Sequence, residues 1–485
     1  MPYEAIIGME VHAHLQTGSK MFCGCRAVFG AEPNTHCCPV CLGLPGVLPV
    51  ANRKAIEGVV ETALALSCEV QKHSRFARKN YYYPDLPKNY QISQFDEPLS
   101  RDGYIEIDVD GATKRIRIRR VHLEEDTGKS LHALDGTSLQ DYNRCGVPLM
   151  EIVSEPDMNS PAEARAYLLA LQSVLRYIGV STASPEQGAM RCEPTVNVRD
   201  TETGEVTGLV ELKNLNSFRA VHDAIAYEIE RQKKALAEGA ELPARETRRW
   251  NVERGITTPM RHKESSDEYR YFPEPDLVPM ALSDEWIEEV QRALPELPRA
   301  RRERLVEQYG IPEYDAGVLT GTREMADYFE ECTRLHADAK AAANWVMVDL
   351  MGKLNETGIP ITDCKVTPEH LAKMLDMIAA GTISGKIGKQ VFEDMFETGK
   401  LPDVICQERN LTLISDDEAV RAVVDEVLAD SPKIVADYLG GKDRAAGALM
   451  GQIMKKTQGK VDPKLANKIL REKLAAKRDE TARDG

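Results

Sequence analysis

The 485-residue sequence lacks the features that mark secreted, membrane-spanning and low-complexity proteins. No basic segment precedes its first apolar run, so we expect no signal peptide. Residues 33–52 carry no formal charge, but four prolines and three cysteines in this stretch exclude a regular membrane helix. The sequence contains no fixed-period repeat. These absences predict a soluble cytoplasmic protein.

An overall excess of positive charge is also missing. The 62 basic and 77 acidic residues give a net charge of −15, so the chain has no general attraction for nucleic-acid phosphates. Any such contact must come from a local patch, and residues 442–485 provide one with 12 basic and 6 acidic side chains. If residues 461–475 are helical, four basic residues form a stripe along one side of that helix. The stripe either binds a phosphate backbone or is an ordinary solvated helix face. The stripe consists of Lys460, Lys464, Lys468 and Arg471.

The common nucleotide-binding and nucleophile motifs are absent as well. The segment Gly128-Lys129-Ser130 looks like the end of a P-loop, but Leu123 stands where the first glycine is required. There is no dinucleotide-binding glycine motif and no Gly-x-Ser-x-Gly elbow. Any nucleotide is therefore expected in an atypical site.

Cysteine, by contrast, is concentrated in one short region. Five of the eleven cysteines lie between positions 23 and 41, and an odd number in a chain without a secretion signal does not suggest a disulfide framework. Two short-spaced pairs predict a closed four-thiolate zinc site, with reduced buried thiols as the alternative. The pairs are Cys23 with Cys25 and Cys38 with Cys41; Cys37 and His36 are additional candidate ligands.

The first predicted strand carries a polar face. Because side chains alternate along a strand, Glu10, His12 and His14 share one face while apolar residues share the other. The polar face is either a functional site or an ordinary solvated surface.

Further acids lie in or at the ends of strand-like segments. Glu151 and Glu211 are each flanked by large apolar residues, and residues 117–123 lead into Glu124-Glu125-Asp126. A carboxylate buried without a partner is expensive, so a cation is expected near any that point inward. Several carboxylates with at most one imidazole suit Mg²⁺, which usually serves phosphates in proteins. Ordinary surface acids are the alternative.

Basic and aromatic residues alternate in residues 75–85, which include Lys79 and three consecutive tyrosines. Such a segment can stack a base and hold phosphates, or it can form the rim of a core or an interface.

The pattern of elements predicts an α+β fold with three parts. Residues 1–290 alternate strands, including one over 109–120, with a few helices, and form a mixed antiparallel-sheet body. Helices are expected from the capping box at Ser160 and over residues 217–238. Residues 291–405 predict a helical domain and residues 406–485 an all-α basic tail.

Seven runs of sequence, together with the two cysteine pairs, resemble the B-subunit family of the aspartyl/glutamyl-tRNA(Asn/Gln) amidotransferases, and they occur in that family's order. The resemblance extends essentially from end to end and includes GQIMKKT at 451–457. The runs are GMEVH at 8–12, ARKNY at 77–81, YQISQ at 90–94, HLEED at 122–126, EIVSEPD at 151–157, ELKNLNS at 211–217 and DEYRYFP at 267–273.

The resemblance implies an activity. Members of this family phosphorylate the side-chain carboxylate of Glu or Asp mischarged on tRNA(Gln) or tRNA(Asn), using ATP and Mg²⁺. Ammonia, freed from glutamine by an A subunit, then displaces the phosphate, and a small C subunit completes the heterotrimer. The absence of a serine-amidase motif in this chain agrees with a need for that glutaminase partner.

The same resemblance implies roles for individual residues. It assigns Mg²⁺ to Glu10, His12, Glu125 and Glu151, phosphate binding to Lys79, Glu211 and Lys213, zinc to Cys23, Cys25, Cys38 and Cys41, and tRNA binding to the tail. Two other classes remain as alternatives: a non-catalytic zinc-containing tRNA adaptor, and an aminoacyl-tRNA synthetase. The second is weakened by the lack of His-Ile-Gly-His and Lys-Met-Ser-Lys-Ser elements.

Overall fold

The computed structural model describes residues 2–132, 135–260, 268–411, 417–440, 442, 444–457 and 460–484. The chain forms two compact units, Met1–Pro298 and Arg299–Gly485. The first combines sheets with helices and the second is helical, which confirms the α+β fold class. No helix in the described ranges is both long enough and apolar enough to cross a membrane.

Strands supply the frame of the first unit. In its described part the strands are β1 (Tyr3–His14), β2 (Glu69–Val70), β3 (His73–Ser74), β4 (Ala77–Asn80), β5 (Tyr90–Ser93), β6 (Ser100–Val109), β7 (Ala112–Glu125), β8 (Lys129–His132), β9 (Ser138–Asp141), β10 (Pro148–Ser154), β11 (Met190–Asp200), β12 (Leu209–Lys213), β13 (Arg245–Asn251), β14 (Ile256–Pro259), β15 (Phe272–Pro273) and β16 (Met280–Ala281).

The main sheet has the strand order β14-β13-β12-β11-β1-β10-β7-β6-β2 and is antiparallel except between β12 and β13. A smaller sheet has the order β15-β4-β5. The strand β1 lies in the middle of the main sheet, and its residues Met9, Val11 and Ala13 are buried in the core. The opposite face of β1 is therefore the one that carries Glu10, His12 and His14.

Helices cover the apolar face of this sheet. They are α1 (Arg53–Ala65), α2 (Pro161–Tyr177) and α3 (Phe218–Glu238), while α4 (Asp284–Ala293) packs against α1. The predicted starts of two helices are confirmed, because the side chains of Ser160 and Ser217 accept hydrogen bonds from the backbone N–H groups of Glu163 and Ala220.

The strand predicted over residues 109–120 is confirmed only over residues 112–120, which lie in β7. The structure ends β6 at Val109 and begins β7 at Ala112, and these two residues pair across a hairpin. Asp110 and Gly111 form the turn with φ values of 52° and 79°. Positive φ at both central residues is typical of the tight hairpin turn that Asp-Gly favours, so the dipeptide marks the break inside the alternating pattern.

The second unit contains two separate apolar clusters, one over residues 305–406 and one over 420–474. Its described elements are α5 (Pro298–Tyr309), α6 (Glu313–Leu319), α7 (Arg323–Leu335), α8 (Ala339–Asn344), a π-helical segment (Trp345–Leu350), α9 (Met351–Thr357), a 3₁₀ turn (Ile361–Asp363), α10 (Pro368–Ala379), α11 (Gly385–Thr398), α12 (Pro402–Arg409), α13 (Asp417–Asp430), α14 (Pro432–Leu439), α15 (Arg444–Lys456) and α16 (Pro463–Asp484).

The predicted basic stripe of the tail is only partly helical. Lys464, Lys468 and Arg471 are exposed on α16, at spacings that place them on one face of the helix. Lys460 lies before the helix, which begins at Pro463. Proline is favoured in the first helical turn because its missing N–H has no intrahelical partner there, and this explains a helix start later than residue 461.

Candidate metal and phosphate site

Three neighbouring strands bring an acidic and imidazole cluster together on the polar face of the main sheet. His12 of β1 is the Cα partner of Glu151 of β10, and Glu151 is in turn the partner of His122 of β7. Side chains of directly paired residues point to the same side of a sheet. The register therefore places these three side chains in one row across three strands.

Glu151 is the centre of the row. Its Oε2 atom lies 3.4 Å from His12 Nε2 and 3.5 Å from His122 Nε2. Glu10 Oε1 lies 3.6 Å from His12 Nε2, and Glu124 Oε1 lies 3.4 Å from His122 Nε2. These residues form two groups whose ligand atoms lie within 4.8 Å of one another: Glu10, His12 and Glu151, and His122, Glu124 and Glu151. We call these five residues the carboxylate cluster.

The carboxylate cluster is strongly charged, and its members His122, Glu124 and Glu151 are buried while Glu10 and His12 are partly exposed. Burial alone would raise the pKa of Glu151, but the positive charges of His122 and His12 outweigh it and hold that pKa well below its ordinary value. Burial would likewise lower the pKa of His12, but the hydrogen bond and charge of Glu151 raise it to about 9. A carboxylate that stays ionised in a buried place is a strong ligand for a cation.

Glu124 is fixed by polar neighbours on β5. Its carboxylate accepts hydrogen bonds from Ser93 Oγ at 2.5 Å and from Gln91 Nε2 at 3.2 Å. Burial would raise its pKa, but the charge of Lys79 outweighs this and lowers it. The Lys79 ammonium lies 5.0 Å from the centre of the Tyr269 ring, and its own pKa is raised well above the ordinary value because Glu124 and other nearby groups outweigh burial. Lys79 is thus held as a cation beside the cluster.

Glu125, which the resemblance assigns to Mg²⁺, is placed elsewhere. Its carboxylate pairs with the Lys88 ammonium and accepts a hydrogen bond from the backbone N–H of Ile92 at 2.9 Å. His122 and Glu124 are two residues apart on β7 and share a face, whereas Glu125 follows at an odd spacing and points to the other side. The structure therefore brings Glu124, and not Glu125, to the cluster. Strict alternation along residues 122–125 is the sequence signal that separates the two acids.

A second charged group lies beside this row, on β11 and β12. Lys213 Nζ lies 2.7 Å from Glu193 Oε2 and 3.1 Å from Glu211 Oε1. Glu193 was not identified from the sequence, although it alternates with buried residues on β11 and is the Cα partner of Glu10. The predicted residues Glu211 and Lys213 thus lie one strand beyond β11, which itself neighbours β1.

His14 continues the polar face of β1 but has a different partner. Its Nε2 atom lies 2.6 Å from Asp126 Oδ2, and Asp126 also binds both terminal nitrogens of Arg191 at 3.0 Å. This buried pairing explains why His14 belongs to neither of the two ligand groups.

A cavity of about 320 Å³ opens onto the carboxylate cluster. Three kinds of side chain line it: members of the cluster, cations and aromatic rings. They are Glu10, His122, Glu124 and Glu151; Lys79, Arg119, Arg120 and Arg245; and Phe95, Tyr269 and Tyr271. Two buried nitrogen atoms there, Arg120 Nε and His122 Nδ1, have no hydrogen-bond partner in the described part of the chain. Because buried polar atoms are normally paired, this cavity is suited to a polar ligand.

Four cysteines between residues 23 and 41 form a second candidate metal site, which shares no residue with the carboxylate cluster. The Sγ atoms of Cys23, Cys25, Cys38 and Cys41 all lie within 4.8 Å of one another, close to what four thiolates around one tetrahedral ion require. The neighbouring Cys37 thiol instead lies 3.9 Å from Asn143 Oδ1. These four thiols can therefore hold a metal ion.

A buried lysine contacts this cysteine cluster. The side chain of Lys20 is 1% exposed, and its Nζ lies 3.6 Å from Cys41 Sγ and 3.2 Å from the backbone oxygen of Tyr142. Across the described residues, no carboxylate forms an ion pair with Lys20. The pKa of Cys41 is lowered to about 4. The largest cause is a hydrogen bond from the Cys23 thiol; a hydrogen bond from the Cys38 backbone and the positive charge of Lys20 also favour the thiolate.

Comparison with known proteins gives one family match in each of the two units. The GatB/GatE catalytic domain family matches residues 5–288, and the GatB domain family matches residues 327–474. The chain is 53% identical to the B subunit of the aspartyl/glutamyl-tRNA(Asn/Gln) amidotransferase of Thermoanaerobacter sp. (strain X514), over 98% of this chain and 100% of that protein. The proteins of the same name from Carboxydothermus hydrogenoformans and Moorella thermoacetica are 53% and 54% identical, each over 98% of this chain and over 99% and 100% of their own lengths. The chain belongs to the family of B subunits of the aspartyl/glutamyl-tRNA(Asn/Gln) amidotransferases.

Proposed function

We propose that this chain activates the side-chain carboxylate of Glu or Asp mischarged on tRNA(Gln) or tRNA(Asn) by phosphorylation with ATP and Mg²⁺. An oxygen of that carboxylate attacks the γ-phosphorus of ATP and ADP leaves. Ammonia then attacks the carbonyl carbon, and phosphate leaves with the former carboxylate oxygen. Activation is necessary because a carboxylate is a poor electrophile without a leaving group.

The single observation that carries this proposal is the carboxylate cluster at the cavity. Each of its two ligand groups offers two carboxylates and one imidazole, and oxygen-rich sets of this kind suit Mg²⁺. When bound there, Mg²⁺ would neutralise charge on the phosphate oxygens. Glu10, Glu124 and Glu151 would hold it together with His12, whose imidazole must lose its proton to coordinate a metal ion, and His122 would orient Glu124 and Glu151. Glu125 is not assigned to this set, because its carboxylate is engaged by Lys88.

Cationic residues of the chain would then contact the phosphoryl group during its transfer to the substrate. Lys79 stays protonated beside Glu124 and can balance the negative charge that develops during transfer. Arg120, with an unpartnered Nε, lines the same cavity. Glu211 and Lys213 lie on β12, two strands away from β1, and we propose that they bind phosphate or a further metal ion.

The chain is a component of a tRNA-dependent amidotransferase, and we propose that it acts in the cytoplasm with two other subunits. An A subunit would release ammonia from glutamine, and a small C subunit would complete the complex. This arrangement agrees with the absence of a serine-amidase motif from the sequence.

The test is ATP consumption by the assembled complex with Glu-tRNA(Gln), Asp-tRNA(Asn) or the corresponding uncharged tRNA. We expect ADP and inorganic phosphate to form in step with amide, only with a mischarged tRNA. Absence of ATP consumption with both mischarged tRNAs would favour the non-catalytic adaptor alternative. Formation of AMP and pyrophosphate would contradict phosphorylation.

We further propose that the cysteine cluster binds one structural zinc ion per chain and that Lys20 stabilises it. A zinc ion with four thiolates carries two negative charges, which the buried ammonium beside Cys41 would partly balance. The segment 20–41 thus supplies both the four thiolate ligands and, through Lys20, a positive charge that balances them.

Lys20→Met should keep the fold but weaken zinc binding by about 10- to 150-fold, since a hydrogen bond to a charged group contributes about 1.5–3 kcal/mol. Competition with a chromophoric chelator at fixed pH measures this affinity in the assembled complex. Lys54→Met, at an exposed lysine of α1, is the control and should bind zinc normally. Equal affinities in the two variants would exclude a role for Lys20.

We also propose that the body at 1–290, the helical domain at 291–405 and the tail at 406–485 have separate roles, and that the tail binds tRNA. The exposed cations Lys464, Lys468 and Arg471 on α16, with Lys460 before it, support this role. An otherwise acidic chain needs such a local patch to hold a polyanion.

Neutralising all four of these cations should weaken tRNA binding and flatten its salt dependence. The slope should fall by up to ~0.9 for each lost phosphate contact, as counter-ions are no longer released. Filter binding over a range of salt concentrations measures both quantities, and Lys433→Ala on α14 is a control for loss of an exposed charge. A four-fold variant with the parental affinity and slope would mean that the tail does not contact tRNA.

A further inference from the structure

We propose that the paired rings of Phe95 and Tyr271 are a platform on which the adenine base of ATP stacks. This inference rests on the proposed function and deepens it by assigning the nucleoside to one wall of the cavity. The two rings are parallel within 5°, with centres 4.2 Å apart. Both line the cavity that contains the carboxylate cluster.

One face of this pair is open. Phe95 is 40% exposed although one side of its ring is covered by Tyr271. The remaining exposed area must therefore belong to the other face and the edges of the ring. An open aromatic face beside cations is the surface on which proteins stack nucleobases.

The platform is held rigidly from behind. The Tyr269 ring meets Tyr271 edge-on at 6.0 Å, and meets Tyr81 in the same manner at 6.0 Å. Asn80 of β4 fixes the backbone of this segment, because its Nδ2 donates to the carbonyl oxygens of Tyr269 at 3.2 Å and Arg270 at 2.9 Å. A surface that is ordered before the ligand arrives loses little entropy when the base stacks.

Arg120 connects the platform with the carboxylate cluster. Its Nη1 donates to the backbone oxygen of Phe95 at 3.4 Å, and its Nη2 lies 3.9 Å from Glu151 Oε1. A single guanidinium group therefore spans the gap between the aromatic wall and the cluster. A ligand lying along this path would have its aromatic end on Phe95 and its anionic end at the cluster, as a nucleoside triphosphate requires.

The terminal nucleotide of tRNA is the other source of a nucleobase for this surface. We favour ATP because the short span set by Arg120 matches a base and phosphates that belong to one small molecule. The neighbouring Arg119 donates two hydrogen bonds of 2.8 and 2.9 Å to Glu155. Arg120, by contrast, has a buried Nε without a hydrogen-bond partner among the described residues, and this nitrogen can donate to a phosphate oxygen.

The test compares the binding of ATP with that of inorganic tripolyphosphate, which has the phosphates but no base. In the assembled complex with Mg²⁺, Phe95→Ala should weaken ATP binding by about 5- to 150-fold, the range that corresponds to ~1–3 kcal/mol per stacked base. Binding of tripolyphosphate should be unchanged, which also shows that the site remains folded. Tyr314→Ala, at an exposed ring of α6, is the control and should alter neither ligand.

Each other outcome overturns the inference. Unchanged ATP binding, or equal weakening of ATP and tripolyphosphate, would show that Phe95 does not stack the base. Weaker tRNA binding with normal ATP binding would assign the platform to RNA. If the unaltered complex bound neither ATP nor tripolyphosphate, the proposed function itself would fail, whereas a defect confined to base stacking leaves that function intact.

Discussion

Glu151→Gln is expected to lower Mg²⁺-dependent, tRNA-stimulated ATP turnover in the assembled complex by at least ~100-fold, because even residues behind the metal ligands contribute roughly 10- to 100-fold. Glu151 is shared by both ligand groups, so its loss affects each of them. Glutamine has nearly the same volume but no charge, and the variant should fold and bind tRNA. Glutamine hydrolysis by the partner should persist. Phosphate release and Mg²⁺ titration measure the effect.

Two adjacent residues provide a matched comparison for this prediction. Glu124→Gln should weaken Mg²⁺ binding in the same way as Glu151→Gln, since Glu124 lies in the cluster. Glu125→Gln should leave Mg²⁺ affinity unchanged, because Glu125 faces Lys88 instead, although it should lower stability by leaving a buried ammonium unpaired. The account of the cluster is contradicted if Glu125→Gln loses Mg²⁺ affinity while Glu124→Gln retains it.

Cys38→Ser is expected to remove most of the zinc and to reduce the yield of soluble protein. Structural zinc contributes apparent free energies of about 10–16 kcal/mol in small zinc-binding peptides, so the loss of one of four thiolates should destabilise this loop-rich segment strongly. Elemental analysis of protein purified without added metal should find about one zinc per chain in the parent and far less in the variant. The melting temperature should fall accordingly.

The adjacent cysteine offers the matched control. Cys37→Ser alters a thiol that lies outside the cluster, near Asn143, and should retain zinc and solubility. A Cys38→Ser variant that is soluble, fully active and still loaded with zinc would refute the structural role. Parent protein with neither zinc nor iron above trace would refute the metal site altogether.

Local patterns in the sequence predict a large part of the site. Period-two alternation places Glu10 and His12 on one face of β1, and the close spacing of Cys23 with Cys25 and of Cys38 with Cys41 agrees with the observed cluster. The same alternation separates Glu124 from Glu125, whereas the resemblance to a family selected Glu125. Strand geometry and the transferred assignment therefore select different acids, and the Mg²⁺ affinities of the two Gln variants decide between them.

Contacts between distant segments could not be predicted in this way. Phe95 and Tyr271 are far apart in the sequence and meet because β5 and β15 flank β4 in the small sheet. Lys20 gives no sign in the sequence that its ammonium is buried, since lysine is normally exposed. Such features depend on strand order and on the burial of particular side chains, neither of which local periodicity determines.

The fate of the carboxylate oxygen distinguishes phosphorylation of the substrate from other ways of activating it. Glu-tRNA(Gln) labelled with ¹⁸O in the side-chain carboxylate would be amidated by the assembled complex with ATP, Mg²⁺ and glutamine, and the products analysed by mass spectrometry. The account predicts that one ¹⁸O atom appears in inorganic phosphate for each amide formed, because the phosphate leaves with the oxygen that attacked the γ-phosphorus. Appearance of the label in AMP, or its absence from phosphate, would contradict activation of the substrate carboxylate by phosphorylation.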